Sequence, residues 1–167
     1  IATLSDDTLK LIKAKHPLLD ADKVISNDFY LSEDTKKILI ISGPNTGGKS
    51  VALKTVGILS YMNQCGLMIP VEGEAILPIF DNIYVDIGDN QSIIDNLSTF
   101  SSHIVNIQDI LSKVDSHSLV IIDELGSGTS PLDGEAIGLG VIDYLLNKNC
   151  FSMISSHYEA LKTYALE

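Results

Sequence analysis

Basic residues are scarce in this chain: 11 lysines and arginines stand against 22 aspartates and glutamates, for a net charge of −11. A surface with that balance repels a phosphate backbone instead of releasing its counterions, so the segment taken alone is a poor nucleic-acid binder. Cysteine is nearly missing too. Cys65 and Cys150 have neither a CxxC nor a metal-ligand spacing. That excludes a disulfide scaffold and a cysteine-based metal site, and leaves two reduced thiols expected in the core of a cytoplasmic protein. No apolar run approaches the roughly 20 residues of a membrane span, and nothing reads as a signal peptide. A soluble location with no membrane partner is the expectation.

What is present is a globular composition. With 45% hydrophobic and 20% charged residues over a length of 167, the chain can bury a real core within one domain. It begins without Met, and is expected to be a piece of a longer polypeptide.

One stretch organises the rest: Gly43-Pro44-Asn45-Thr46-Gly47-Gly48-Lys49-Ser50, a glycine, four residues, then Gly-Lys-Ser, which is the phosphate-binding loop. The run before it, Lys37 to Ser42, is short, β-branched and apolar on both faces, as in a strand buried in a parallel sheet. The run after it, Val51 to Gln64, spaces Leu53, Val56, Leu59 and Met62 at three-residue steps and predicts a helix. Strand, glycine loop and helix N-terminus in this order aim backbone N–H groups and a positive dipole end at one anion. Lys49 would reach the β- and γ-phosphates of ATP, and the Ser50 hydroxyl would hold Mg²⁺.

Elsewhere the signals vary in strength. Ser5-Asp6-Asp7 ahead of Thr8 to Lys13 predicts a short capped helix ended by His16-Pro17, with His16 read as a turn residue over a base contact. Val24 to Leu31 reads as an edge strand. Ala75–Ile79 and Asn82–Ile87 read as short strands among breakers, and residues 89–97 as a surface loop. Phe100, Ile104, Ile107, Ile110, Leu111 and Val114 share one face of a second helix, with Ser98 as its expected N-cap. Ser118 to Glu124 is a second buried strand that ends in two carboxylates. An acidic residue at the carboxyl end of a parallel strand faces the crevice where α/β sheets bind ligands. Asp123 therefore fits as the Mg²⁺ partner of Ser50, and Glu124 as the group that orients or deprotonates the attacking water. A glycine-rich turn over Leu125–Gly134, a third helix over Glu135–Leu146 and a third strand over Cys150–Ser155 follow. His157 is thereby delivered to the same edge, with one more helical turn or two after it.

Together these residues resemble the ATPase domain of the MutS family, relatives of ABC transporter ATPases, from about His16 to the end. The loop is similar to the family's GPNxGGKS, Asp123 to Ser130 to its DExGxGTS, Ser156-His157-Tyr158 to its THY, and Ser98-Thr99-Phe100 to the STF of its signature helix. Asp86 to Ile93 and Leu97 to His103 look most like the second bacterial branch, MutS type two. The resemblance implies an α/β fold: a three-layer P-loop NTPase of the ABC/MutS type, mostly parallel in its central sheet with a peripheral antiparallel part. Residues 1–167 would form a single ATPase domain, with 1–35 its N-terminal edge segment.

It implies a homodimer in the full-length protein, weak or absent in this segment, with each ATP held by one chain's loop (Gly43 to Val51) and by Ser98 of the other. His157 would sense the γ-phosphate. Val24 and Ile25 stand where the family covers adenine and would give an apolar cover. Asn96-Leu97 replaces the Gly-Arg that precedes STF in the mismatch-repair branch, so no arginine role carries over. The type-two branch is linked to suppression of recombination and to rescue of collided ribosomes, so DNA or the ribosome would be gripped by other domains, and any nuclease activity would lie there too. The rival expectations are an ATP-binding clamp with little hydrolysis and another ABC-type head such as an SMC-like one. The 74 positions from Lys49 to Asp123 are short for a head with a large inserted arm.

Overall fold

The computed structural model describes residues 1–44, 48–88 and 96–166, with side chains in the last span described from Phe100 onward. In chain order these form β1 (Thr3–Leu4), β2 (Thr8–Ala14), β3 (Asn27–Ser32), β4 (Ile38–Ile41), α1 (Lys49–Gln64), β5 (Ala75–Leu77) and β6 (Asn82–Asp86). They continue with α2 (Asn96–Lys113), β7 (Ser118–Ile122), α3 (Pro131–Lys148), β8 (Phe151–Ser155) and α4 (Glu159–Leu166). One sheet has the order β4-β8-β7-β6 and is parallel throughout; the other, β1-β5-β2-β3, is mixed. The architecture is α/β, with one wholly parallel sheet and one mainly antiparallel sheet.

The parallel sheet explains itself from β7. All five of its residues are buried, and successive side chains leave opposite faces of a strand. Leu119 and Ile121 join a core with Leu53, Val56 and Leu59 of α1 and with the inward residues of the mixed sheet, Leu9, Leu11, Phe29, Leu31 and Leu77. Val120 and Ile122 join a second core with Ile107 and Ile110 of α2, Val141, Ile142 and Leu145 of α3, and Leu161 of α4. Helices thus cover both faces, the usual condition of a parallel sheet. The connection through α1 runs from β4 to the far edge at β6, and α2 and α3 lead back on the other face. All four strands end at one edge.

Four expectations need correction. Thr8–Ala14 is a strand, because Leu9 and Leu11 are buried on one side while Thr8, Lys10 and Ile12 alternate with them. The Ser5 hydroxyl, cast as a cap, donates to the Asp7 carboxylate at 2.6 Å instead. β4 is an edge strand among the described residues and its four residues are only half-buried. Asn96 and Leu97 already belong to α2, so Ser98 lies inside its first turn and is not the N-cap; residues 89–95 of the expected loop lie outside the described residues. Cys65 is exposed where a core position was expected, and Cys150 is buried.

The third helix also starts earlier than its periodicity suggested. Ser130 caps it, its hydroxyl accepting the Asp133 N–H at 3.3 Å, with Pro131 at the first helical position, where a missing N–H costs nothing. Gly134, read as the end of a turn, is buried in that helix. A Cβ there would stand 2.2 Å from Tyr158 Oη and 2.4 Å from the Gly126 carbonyl oxygen, and the Tyr158 hydroxyl donates to that same carbonyl at 2.9 Å. Gly134→Ala is therefore expected to destabilise the domain by about 1–3 kcal/mol, a fall in thermal midpoint of about 2–10 °C at this size. An unchanged midpoint by calorimetry would show that the turn gives way freely.

Candidate nucleotide site

The loop between β4 and α1 begins at a strand end and closes on a left-handed residue. Gly48 has φ 78° and precedes the first helical residue of α1, a conformation that costs a non-glycine residue about 1–2 kcal/mol. Asn45, Thr46 and Gly47 lie outside the described residues. Lys49 is 7% exposed and its ammonium donates to the Gly43 carbonyl oxygen at 2.6 Å, so the side chain folds back across the loop. Val51, half-buried in the first turn of α1, gives its carbonyl to the Thr55 hydroxyl at 2.7 Å.

Ser50 meets Asp123 across the sheet edge: its hydroxyl donates to Asp123 Oδ2 at 2.5 Å. Residues 73 positions apart in sequence are brought together because β4 and β7 flank β8 and end at the same edge. Asp123 is 7% exposed, and three groups fix it. Ser50 takes one carboxylate oxygen, the Ser155 hydroxyl donates to the other, and the Asp123 N–H donates to the Asp86 carbonyl at 2.8 Å. A buried carboxylate needs this saturation.

Ser155 ties the edge together a second time, since its hydroxyl oxygen accepts the Glu124 N–H at 2.8 Å and its carbonyl accepts the Leu125 N–H at 3.0 Å. Glu124 is half-buried and sits at φ 51°, left-handed backbone outside glycine, a costly conformation that collects at functional sites. His157 follows the end of β8, exposed, its ring 4.3 Å from that of Tyr158. Ser98 lies in the first turn of α2. Thus the structure joins Ser50 to Asp123 directly and sets Lys49, Glu124 and His157 on the same edge.

A cleft of about 290 Å³ opens beside the loop, between Phe29, Leu39, Ile41, Gly43, Pro44, Gly48, Lys49 and Ala52, with Asn27 and Asp28 at its side. Val24 and Ile25 do not line it; Val24 is half-buried and Ile25 is 82% exposed. Sequence reasoning missed Asn27 to Phe29 and Ser155. The first open the edge strand β3 and carry no motif, and the second is one serine among several near the end of a strand.

The donors fit magnesium. A hydroxyl and a carboxylate are hard oxygen ligands, and Mg²⁺ takes one or two protein oxygens, keeping waters and phosphate oxygens for its other positions. No cluster of three or more His, Cys, Asp or Glu side chains suited to a metal exists among the described residues.

Comparison with known proteins gives a consistent result. The model of MutS domain V matches residues 39–167. Proteins named Endonuclease MutS2 are similar over nearly the whole chain. That of Clostridium tetani is 48% identical over 162 residues, covering 97% of this chain and 20% of its own length. That of Listeria innocua is 50% identical over 154 residues, 92% of this chain and 20% of its own. That of Agathobacter rectalis is 50% identical over 162 residues, 97% and 20%. The chain thus spans about a fifth of the length of the curated relatives it matches.

Proposed function

Since the chain belongs to the MutS family, in its type-two branch, we propose that it is the Mg²⁺-dependent ATP hydrolase of a larger protein and takes the three-layer P-loop arrangement of the ABC/MutS type. The observation that carries this reading is the 2.5 Å contact of Ser50 with Asp123, which joins a phosphate loop to a buried acid where α/β sheets take ligands.

Each residue then has a task. The loop from Gly43 to Val51, by its backbone N–H groups other than at Pro44, and the positive end of α1 hold the phosphates. Lys49 leaves the Gly43 carbonyl for the β- and γ-phosphate oxygens and neutralises charge that grows as the bond to the leaving group lengthens. Ser50 and Asp123 would hold Mg²⁺, which would supply positive charge against the phosphates. Glu124 aligns a water for in-line attack and takes its proton. His157 contacts the γ-phosphate. The cleft at Asn27 to Phe29 receives the ribose side of the nucleotide, with Val24 and Ile25 covering the adenine from outside.

Ser98 acts across a two-fold axis on the nucleotide of the second subunit, so hydrolysis follows closure of the homodimer. The polypeptide outside this chain grips DNA or a ribosome, and any endonuclease activity of the kind in the relatives' name resides there. The net charge of −11 suits a motor better than a nucleic-acid surface. Among the described residues no helix is long and apolar enough to cross a membrane.

Mixing subunits of the full-length protein tests the shared site. A Lys49→Ala chain and a Ser98→Ala chain, each nearly inactive alone, are expected to regain roughly a quarter of wild-type turnover when mixed in equal amounts. Half of the two-fold dimers are then mixed, and each holds one intact site. No recovery would sink the trans arrangement.

A further inference from the structure

Among the described residues Asp86 is the most buried carboxylate near the site, at 5% exposure, yet no step above uses it. It ends β6, paired in register with Ile122 of β7, and its carbonyl accepts the Asp123 N–H at 2.8 Å. Its carboxylate is gripped from the other direction by α2. His103 Nδ1 lies 2.6 Å from Oδ2 and Asn106 Nδ2 lies 2.8 Å from Oδ1, with Asn106 also donating to the Val85 carbonyl at 3.2 Å. A carboxylate only accepts, so Nδ1 of the imidazole carries the shared proton. Positions 103 and 106 are one turn apart on the same helix face. The ring lies close against Gly88, where a Cβ would stand 2.5 Å from its Nε2.

A buried charge held by two polar side chains is a poor way to gain stability, since an apolar replacement of the same shape often does as well. It is a good way to fix one element's position against another. Here the two elements are α2, whose first turn carries Ser98, and the end of β6, whose Asp86 carbonyl holds the Asp123 N–H. We propose that His103 and Asp86, with Asn106, are positioning residues that couple the stance of α2 to the seating of Asp123, so that the nucleotide held across the dimer and the one held by the same chain feel each other. This rests on the hydrolase reading above and adds to it a route between the two sites. When α2 shifts onto the partner's nucleotide, His103 and Asn106 carry Asp86 with it. Asp86 then moves the backbone that holds Asp123.

The test uses the full-length protein and ATP with Mg²⁺. His103→Ala is expected to lower kcat about 10- to 100-fold while the KM for ATP stays near wild type, beside a modest fall in thermal midpoint because Asp86 loses one of its two side-chain partners. His103→Asn, which keeps a donor close to the place of Nδ1, is expected to restore kcat to within about threefold of wild type. In mixed dimers, an excess of a chain carrying both Lys49→Ala and His103→Ala is expected to slow the intact site of a wild-type partner about 10-fold beyond Lys49→Ala alone.

Three results would overturn the coupling: turnover by His103→Ala close to wild type, equal loss in His103→Ala and His103→Asn, or a wild-type partner indifferent to His103 in the other chain. A rise in the KM for ATP in step with the loss of kcat would make the cluster a structural prop and overturn it as well. A wild-type protein without Lys49-dependent turnover would refute the hydrolase reading first, and the two failures are told apart by that control.

Discussion

A Glu124→Gln chain is expected to bind ATP as the parent does and to hydrolyse it about 10²- to 10⁴-fold more slowly, the contribution of a positioned general base. The backbone around residue 124 is held apart from its side chain's chemistry. The N–H is bonded to Ser155 Oγ at 2.8 Å, the carbonyl accepts the Ser127 N–H at 3.1 Å, and φ is 51°. Glutamine has the same shape and the same backbone preferences, so those bonds persist and the loop keeps its form. What is lost is a carboxylate that can take a proton from water. Rapid-quench measurement of ATP cleavage beside equilibrium binding separates the outcomes. Equal rates in both proteins would favour an ATP clamp over a hydrolase, and parallel loss of binding and turnover would make Glu124 a structural residue.

The sequence disclosed those parts of the molecule that are written locally. The helix α1, the apolar β7 and the one-sided face of α2 each occupy a short continuous stretch, and their period is independent of what packs on them. Thr8–Ala14 is the contrary case. Seven residues with Leu9, Leu11 and Ile12 satisfy both a helical and an alternating pattern, and its partners decide the matter: β3 begins at Asn27 and β5 at Ala75. The half-burial of β4 was equally hidden, because composition records that a strand is apolar and not whether a neighbour stands on each side.

The start of α3 was legible in principle from Ser130-Pro131, a cap followed by proline at the first helical position. The glycines after it masked the signal, since Gly134 is set by contact with Tyr158 and not by a turn. At the site, Ser50 and Asp123 could be paired from motif logic. The serine that holds Asp123 from its other side, Ser155, could not. The bond from Asp86 to His103 joins residues 17 positions apart through a strand and a helix, which no local pattern encodes.

Lys49→Ala carries the largest expected effect, and it reads the site by two measures at once. The lysine is buried, and its described hydrogen bond goes to the loop's own Gly43 carbonyl. Without nucleotide its removal therefore takes little from the fold, and the melting midpoint of the variant is expected within about 2 °C of the parent, a change below about 1 kcal/mol. With nucleotide the difference becomes large. A charge-assisted contact to phosphate is worth about 1.5–3 kcal/mol, so ATP should bind about 10- to 100-fold more weakly, and turnover should fall at least about 10³-fold because the same charge is needed more as phosphate oxygens gain charge.

Ligand-induced stabilisation makes the binding arm visible without catalysis. At a concentration 100 times its Kd, ATP stabilises the parent by about 2.7 kcal/mol, a rise of about 5–10 °C for a chain of this size. At the same concentration a variant with 100-fold weaker binding gains about 0.4 kcal/mol, close to 1 °C. If Lys49→Ala showed the parent's full ATP-dependent rise, the triphosphate would be gripped elsewhere, and the contact of Ser50 with Asp123 would be a link in the fold with no magnesium to hold.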